Sequence, residues 1–170
     1  MAELEHRLGA AWRRFWTLKQ ELTCKSYSLN IRLKLFNAVV SSTLLYGCEA
    51  WTLTQKMELQ LRRGQRRMLR IILGSGRRRQ MDGPGGEDLL EPWVDWIQRT
   101  THDIEARMSR LRCPNWVEIQ HDRKRRWAER LMTTDTQTWA FRLLQWEPDP
   151  YKFGRACGRP RRRWSDSLQF

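Results

Sequence analysis

The sequence predicts an all-α protein: a helical bundle of three N-terminal helices, followed by a second, Trp-rich helical lobe and a basic tail. Six segments repeat apolar residues at the 3.6-residue period of a helix, and no stretch alternates apolar and polar residues long enough to build a sheet. Glycine and proline punctuate the boundaries between the periodic segments. No internal repeat of fixed period is present. With 170 residues, the chain is long enough for one domain or two small lobes and for a useful core.

Residues 3 to 22 carry Leu4, Leu8, Ala11, Trp12, Phe15, Trp16, Leu18 and Leu22 on one stripe, with Arg7, Arg13, Arg14 and Lys19 off it. Ser28 is placed to cap a second helix running through Ile31, Leu35, Phe36, Val39, Val40 and Leu44 to Tyr46, where Gly47 supplies a left-handed end. The β-branched pair Val39 and Val40 admits a strand, but the spacing at i, i+4 and i+8 favours a buried helix. Thr52 and Gln55 have capping-box spacing ahead of a third helix that ends at Gly74. Along it Met57, Leu61, Gly64, Met68 and Ile72 share one face, with Arg62, Arg63, Arg66, Arg67 and Arg70 roughly opposite.

Residues 1–74 thus form the bundle, and the Gly- and Arg-rich stretch 75–87 reads as a linker without a packed element. The second lobe spans 88–147. Pro92 opens a fourth helix with Trp93, Trp96, Ile97, Thr100, Ile104, Met108 and Leu111 in register. Pro114 opens a fifth, with an apolar edge of Trp116, Ile119, Trp127 and Leu131. Asp135 or Thr136 starts a short sixth helix carrying Trp139, Leu143 and Trp146, stopped by Pro148 and Pro150. Residues 148–170 form the extended tail.

The 32 Lys plus Arg against 19 Asp plus Glu give a formal charge of +13, and 26 of the 32 are arginine. Guanidinium grips phosphate as a fork, so the expected partner is RNA, DNA or an RNA/DNA hybrid. The charge is clustered. Candidate nucleic-acid-binding residues are Arg62, Arg63, Arg66, Arg67 and Arg70, extended by Arg77, Arg78 and Arg79; Arg123, Lys124, Arg125 and Arg126; and Arg159, Arg161, Arg162 and Arg163 in the tail. The bland reading of each run is a solvated face, yet five arginines with no acid between Glu58 and Asp82 repel one another unless a polyanion is present.

Of the ten tryptophans, eight sit on apolar stripes, where core packing is expected; Trp164 is the candidate for base stacking or for docking the tail. The segment Gly158–Trp164 contains a Gly-Arg-Pro core similar to AT-hook peptides, with Cys157 where that motif has an arginine. A nonspecific phosphate clamp and a nuclear-import signal fit the same residues.

Catalytic signals are sparse. There is no Asp-Asp pair, no Gly-rich phosphate loop, and His6, His102 and His121 lie singly on polar faces. The four cysteines show neither zinc-ligand spacing nor a disulfide framework, so no metal and no cofactor is expected, and the thiols read as reduced. No stretch approaches the roughly 18 apolar residues of a membrane span, and the N-terminus lacks a signal-peptide pattern. An intracellular setting, with the nucleus favoured, is the expectation.

The stretch LKLFNAVVSSTLLYGCEAWTLT, followed by LRRGQRRMLRIILG, resembles the region after the catalytic palm in reverse transcriptases of non-LTR, LINE-like retrotransposons. RLGAAWRRFWTLK, RKRRWAERLM and GRPRRRWSD resemble flanking parts of the same elements, so the resemblance spans nearly the whole chain. It implies a thumb-like bundle with a C-terminal extension, holding template and primer beside a palm that copies RNA into DNA. Tyr46, Gly47, Glu49 and Trp51 match the family's turn, and the arginines from 62 to 70 its grip. The palm and its catalytic aspartates are lacking. The resemblance therefore implies a fragment that is not an enzyme by itself, with a palm-containing polymerase segment as a possible partner. Rival readings are a decayed open reading frame and a Trp-rich protein-interaction module.

Overall fold

The computed structural model describes residues 2–81, 88–133, 137–146, 164–165 and 168. The fold is all-α, as expected. Its helices are α1 (Ala2–Thr17), α2 (Lys19–Thr23), α3 (Leu29–Leu35), α4 (Ser42–Leu44), α5 (Gln55–Leu73), α6 (Trp93–Arg110), α7 (Trp116–Met132) and α8 (Trp139–Gln145). A π-helical stretch, Phe36–Ser41, joins α3 to α4. The chain divides into two compact units: residues 1–46 with 55–117, and residues 47–54 with 118–170. This division differs from the expected one, a second lobe from residue 88 after a linker at 75–87.

In the first unit, the expected first helix breaks at Leu18, which leaves the helical region and starts α2. Ser28 caps α3 as expected, its hydroxyl accepting from the Ile31 N–H. The second helix stays helical, but its middle widens into the π turn. There Ser42 and Thr43 donate their hydroxyls back to the carbonyls of Ala38 and Val39, at 2.6 and 2.7 Å, which loosens the main-chain ladder.

The helix α5 starts at Gln55, so the capping box proposed at Thr52 does not form. Its apolar face is as read: Leu61, Met68 and Ile72 are buried. Gly64 lets α1 approach, since a Cβ there would lie 3.1 Å from Leu8 and 3.5 Å from Trp116. Arg32 donates to the carbonyls of Leu22 and Ile72 and so places a cation at the C-terminal end of α5.

The core of this unit is aromatic. Phe15 meets Phe36 edge-on, and Phe36 stacks on Trp116 with centroids 5.9 Å apart. The Trp116 indole N–H donates to Ser41 at 2.8 Å, and its backbone N–H donates to the buried Gln65 amide, which in turn donates to the Pro114 carbonyl. The polar atoms of Trp116, Gln65 and Ser41 brought inside here are bonded, which keeps their burial from being costly.

The linker expectation needs correction. Arg79–Met81 pairs antiparallel with Asp88–Leu90, with Arg79 opposite Leu90, so residues on both sides of the Gly-rich segment form a hydrogen-bonded strand pair. The tryptophans also depart from expectation. Trp116 is fully buried, but Trp16, Trp93, Trp127, Trp139 and Trp146 are all exposed.

Candidate nucleic-acid interface

The left-handed Gly74 (φ 65°) ends α5, with the N–H of Ser75 donating to the Arg70 carbonyl. This turn aims the chain at the start of α6, where the Trp96 indole N–H donates to the Ser75 carbonyl at 3.0 Å. Between the end of α5 and the first turns of α6 lies a groove of about 900 Å³. Arg63, Arg67 and Arg70 line one side and Trp93, Trp96 and Ile97 the other.

The five arginines of α5 are not equivalent. Arg66 is ion-paired with Glu105 of α6. Arg70 donates to the hydroxyls of Thr100 and Thr101, each at 2.8 Å, and lies 5.5 Å from the Trp96 ring centroid. Partial burial, and secondarily Arg66, lower its pKa, though a guanidinium stays charged. Arg67 is exposed, with its guanidinium over the Trp12 ring, and Arg63 is exposed; Arg62 is half-buried. The repulsion inferred from the sequence is thus relieved partly from within, because α6 brings Glu105 to a face that looked free of acids.

Arg77, though exposed, is also engaged within the chain, donating to the carbonyls of Glu91 and Leu90. Arg78 and Arg79 are exposed at the strand pair. Glu91, which sequence reasoning missed, organises this corner. Its carboxylate takes a two-pronged bond from Arg99 at 2.8 and 2.7 Å and a third from the Arg78 N–H. These bonds, the Arg99 fork foremost, hold its pKa down to about 2.

A depressed carboxylate contributes stability that is present above its ordinary value of 4.5 and is lost as pH falls through about 2. Glu91→Gln is therefore expected to melt below wild type at neutral pH, with the gap closing between about pH 4.5 and 2. Thermal melts followed by circular dichroism check this; a gap indifferent to pH would contradict it.

In the second unit the buried line of α7 is Gln120, Lys124 and Ala128, and not the expected edge of Ile119, Trp127 and Leu131. Gln120 donates to the Cys48 carbonyl and Lys124 to the Trp51 carbonyl. Lys124 is thereby corrected from a phosphate contact to a buried support. Its ammonium lies 4.6 Å from the ring centroid of Trp164, whose N–H donates to the Glu49 carbonyl at 2.7 Å. Trp164 also meets Trp127 edge-on, so its ring is packed and is not an open stacking platform.

Gly47 takes the left-handed conformation foreseen for it (φ 67°), and the carbonyls of Cys48, Glu49 and Trp51 receive those three donors. Tyr46 belongs to the first unit and is exposed, with Arg7 over its ring. Arg125 and Arg126 are exposed and paired with Asp122. Arg123 is half-buried beside Cys48, whose thiol burial pushes up to about 11. Arg159, Arg161, Arg162 and Arg163 lie outside the described residues.

Among the described residues no group of three or more His, Cys, Asp or Glu is placed to hold a metal ion. Among them, too, no helix is long and apolar enough to cross a membrane.

Fold and groove together describe an all-helical, strongly basic chain with an aromatic cleft. It is similar to F52C9.6, an uncharacterized protein of Caenorhabditis elegans whose name calls it transposon-derived, at 30% identity over 174 residues. The match takes in 99% of this chain and 53% of that protein, so the chain spans about half the length of the relative. No protein-family model matches the chain, and no solved structure matches it.

Proposed function

We propose that the chain is a transposon-derived, noncatalytic nucleic-acid-binding segment, comparable to the thumb and C-terminal extension of a non-LTR retrotransposon reverse transcriptase. It grips RNA or an RNA/DNA template-primer through arginine–phosphate contacts, beside a palm supplied by another segment, and works in the nucleus. The observation that carries this reading is the groove, where Arg63, Arg67 and Arg70 face Trp93 and Trp96. Guanidiniums with aromatic rings in one cleft suit a polyanion with planar bases. The similarity to a transposon-derived protein and the net charge of +13 support it as well.

Titration of a labelled RNA/DNA hybrid across a salt series tests the proposal. The log of the association constant is expected to fall linearly with log salt, by about 0.9 for each duplex phosphate neutralised. Affinity indifferent to salt would contradict arginine–phosphate gripping.

A second reading, a protein-interaction module, is favoured by α8 and the residue that follows it, where Trp139 (76% exposed), Leu143 and Trp146 leave apolar side chains in solvent. Capture of a protein partner that survives nuclease and high salt, and that is lost in Trp139→Ala, would favour it. A decayed reading frame predicts no cooperative melt.

A further inference from the structure

We propose that the groove between α5 and α6 takes one unpaired nucleobase of a single strand, stacked on Trp93 with its flanking phosphates at Arg63 and Arg67. This deepens the nucleic-acid reading above and rests on it.

The two indoles of the groove have different jobs. Trp96 is fixed: its N–H is committed to the Ser75 carbonyl, and Arg70 lies over its ring. Trp93, one turn earlier, is 61% exposed, and its ring centroid stands 4.7 Å from that of Trp96 at an angle of 51°. It therefore has a rigid backing and a ring left largely to solvent. A large aromatic in that position costs little conformational entropy to order and offers its surface to another planar ring.

Charge sets the class of ligand. The lining holds three arginines and, among the described residues, no carboxylate. Arg70 is held by Thr100 and Thr101, while Arg63 and Arg67 are exposed at the rim. The far rim is open, since a Cβ on Gly74 or Gly76 would meet nothing within 4 Å, so a strand has room to pass there. A base within a duplex is stacked and paired and does not reach a pocket of side chains; an unpaired one does.

The test uses the full chain and fluorescence anisotropy with three labelled hairpins: one with a single-stranded extension, one blunt, and one whose extension is abasic. Trp93→Ala is expected to weaken binding to the extended hairpin about tenfold, with blunt binding changed less than about twofold. Trp93→Phe should restore most of the affinity, and the abasic extension should cost the wild type the same tenfold and the Ala variant nothing more. Free nucleoside monophosphate should compete only at concentrations far above the hairpin's. An unchanged circular dichroism spectrum shows that the variant folds.

Equal loss on blunt and extended hairpins, no loss on either, or competition by the free nucleotide at hairpin concentrations overturns the base pocket while leaving the nucleic-acid reading standing. Failure of every probe to bind the wild type at low salt overturns both.

Discussion

Arg63→Glu combined with Arg67→Glu is expected to weaken nucleic-acid binding by about two orders of magnitude and to reduce the log–log salt slope by about 1.4, the value for two single-strand phosphates. Both side chains are exposed and line the groove, so charge reversal acts on the bound polyanion first. The fold should tolerate it. Arg67 loses its place over Trp12, an interaction of about 0.5–1 kcal/mol at an exposed site. Arg66 and Arg70 make poorer probes, because the first is paired with Glu105 and the second is bonded to Thr100 and Thr101. Reversing those would disturb the packing of α5 against α6 and mix loss of binding with loss of structure. Anisotropy titrations at several salt concentrations, beside a thermal melt, separate the two effects.

The largest stability effect is expected at Trp116. Trp116→Ala removes a fully buried indole that stacks on Phe36 and leaves the Ser41 hydroxyl without its donor. Large-to-small replacements of buried aromatics cost about 3–5 kcal/mol, a large part of the stability of an ordinary domain. Urea denaturation should show the midpoint falling accordingly or the transition disappearing. Trp93→Ala, at an exposed ring, should stay within about 1 kcal/mol of wild type.

The contrast between these tryptophans shows what periodicity does and does not reveal. Each lies on an apolar stripe, and the stripe correctly marked Leu61, Met68 and Ile72 of α5 as core. Periodicity names a face, but burial needs a neighbour to cover it. Trp116 has α5 at Gly64 and Gln65 and the π stretch around Phe36; Trp93 has a groove.

In α7 the miss ran the other way. Gln120 and Lys124 look like surface residues, yet both are buried because the turn after Gly47 offers main-chain carbonyls that need donors. A polar residue two turns from Trp116 on the same line was the available hint.

The candidate site was half legible. The arginine face of α5 was visible from spacing, and Gly74 as its terminus from local chemistry. Which arginines remain outward depended on α6, whose Glu105, Thr100 and Thr101 lie 30 or more residues further along the chain. No local pattern links them. Glu91 stayed hidden for the same reason, since its partners Arg78 and Arg99 are brought together by the strand pair and the start of α6.

The central claim is that nucleic acid lies in the groove between α5 and α6. Ultraviolet cross-linking of a bound single-stranded oligonucleotide, with the modified peptides read by mass spectrometry, tests it most directly. Cross-links are expected on Trp93 and on the segment from Arg63 to Gly76. Their confinement to α7 or the tail, with the groove peptides unmodified, would contradict the claim.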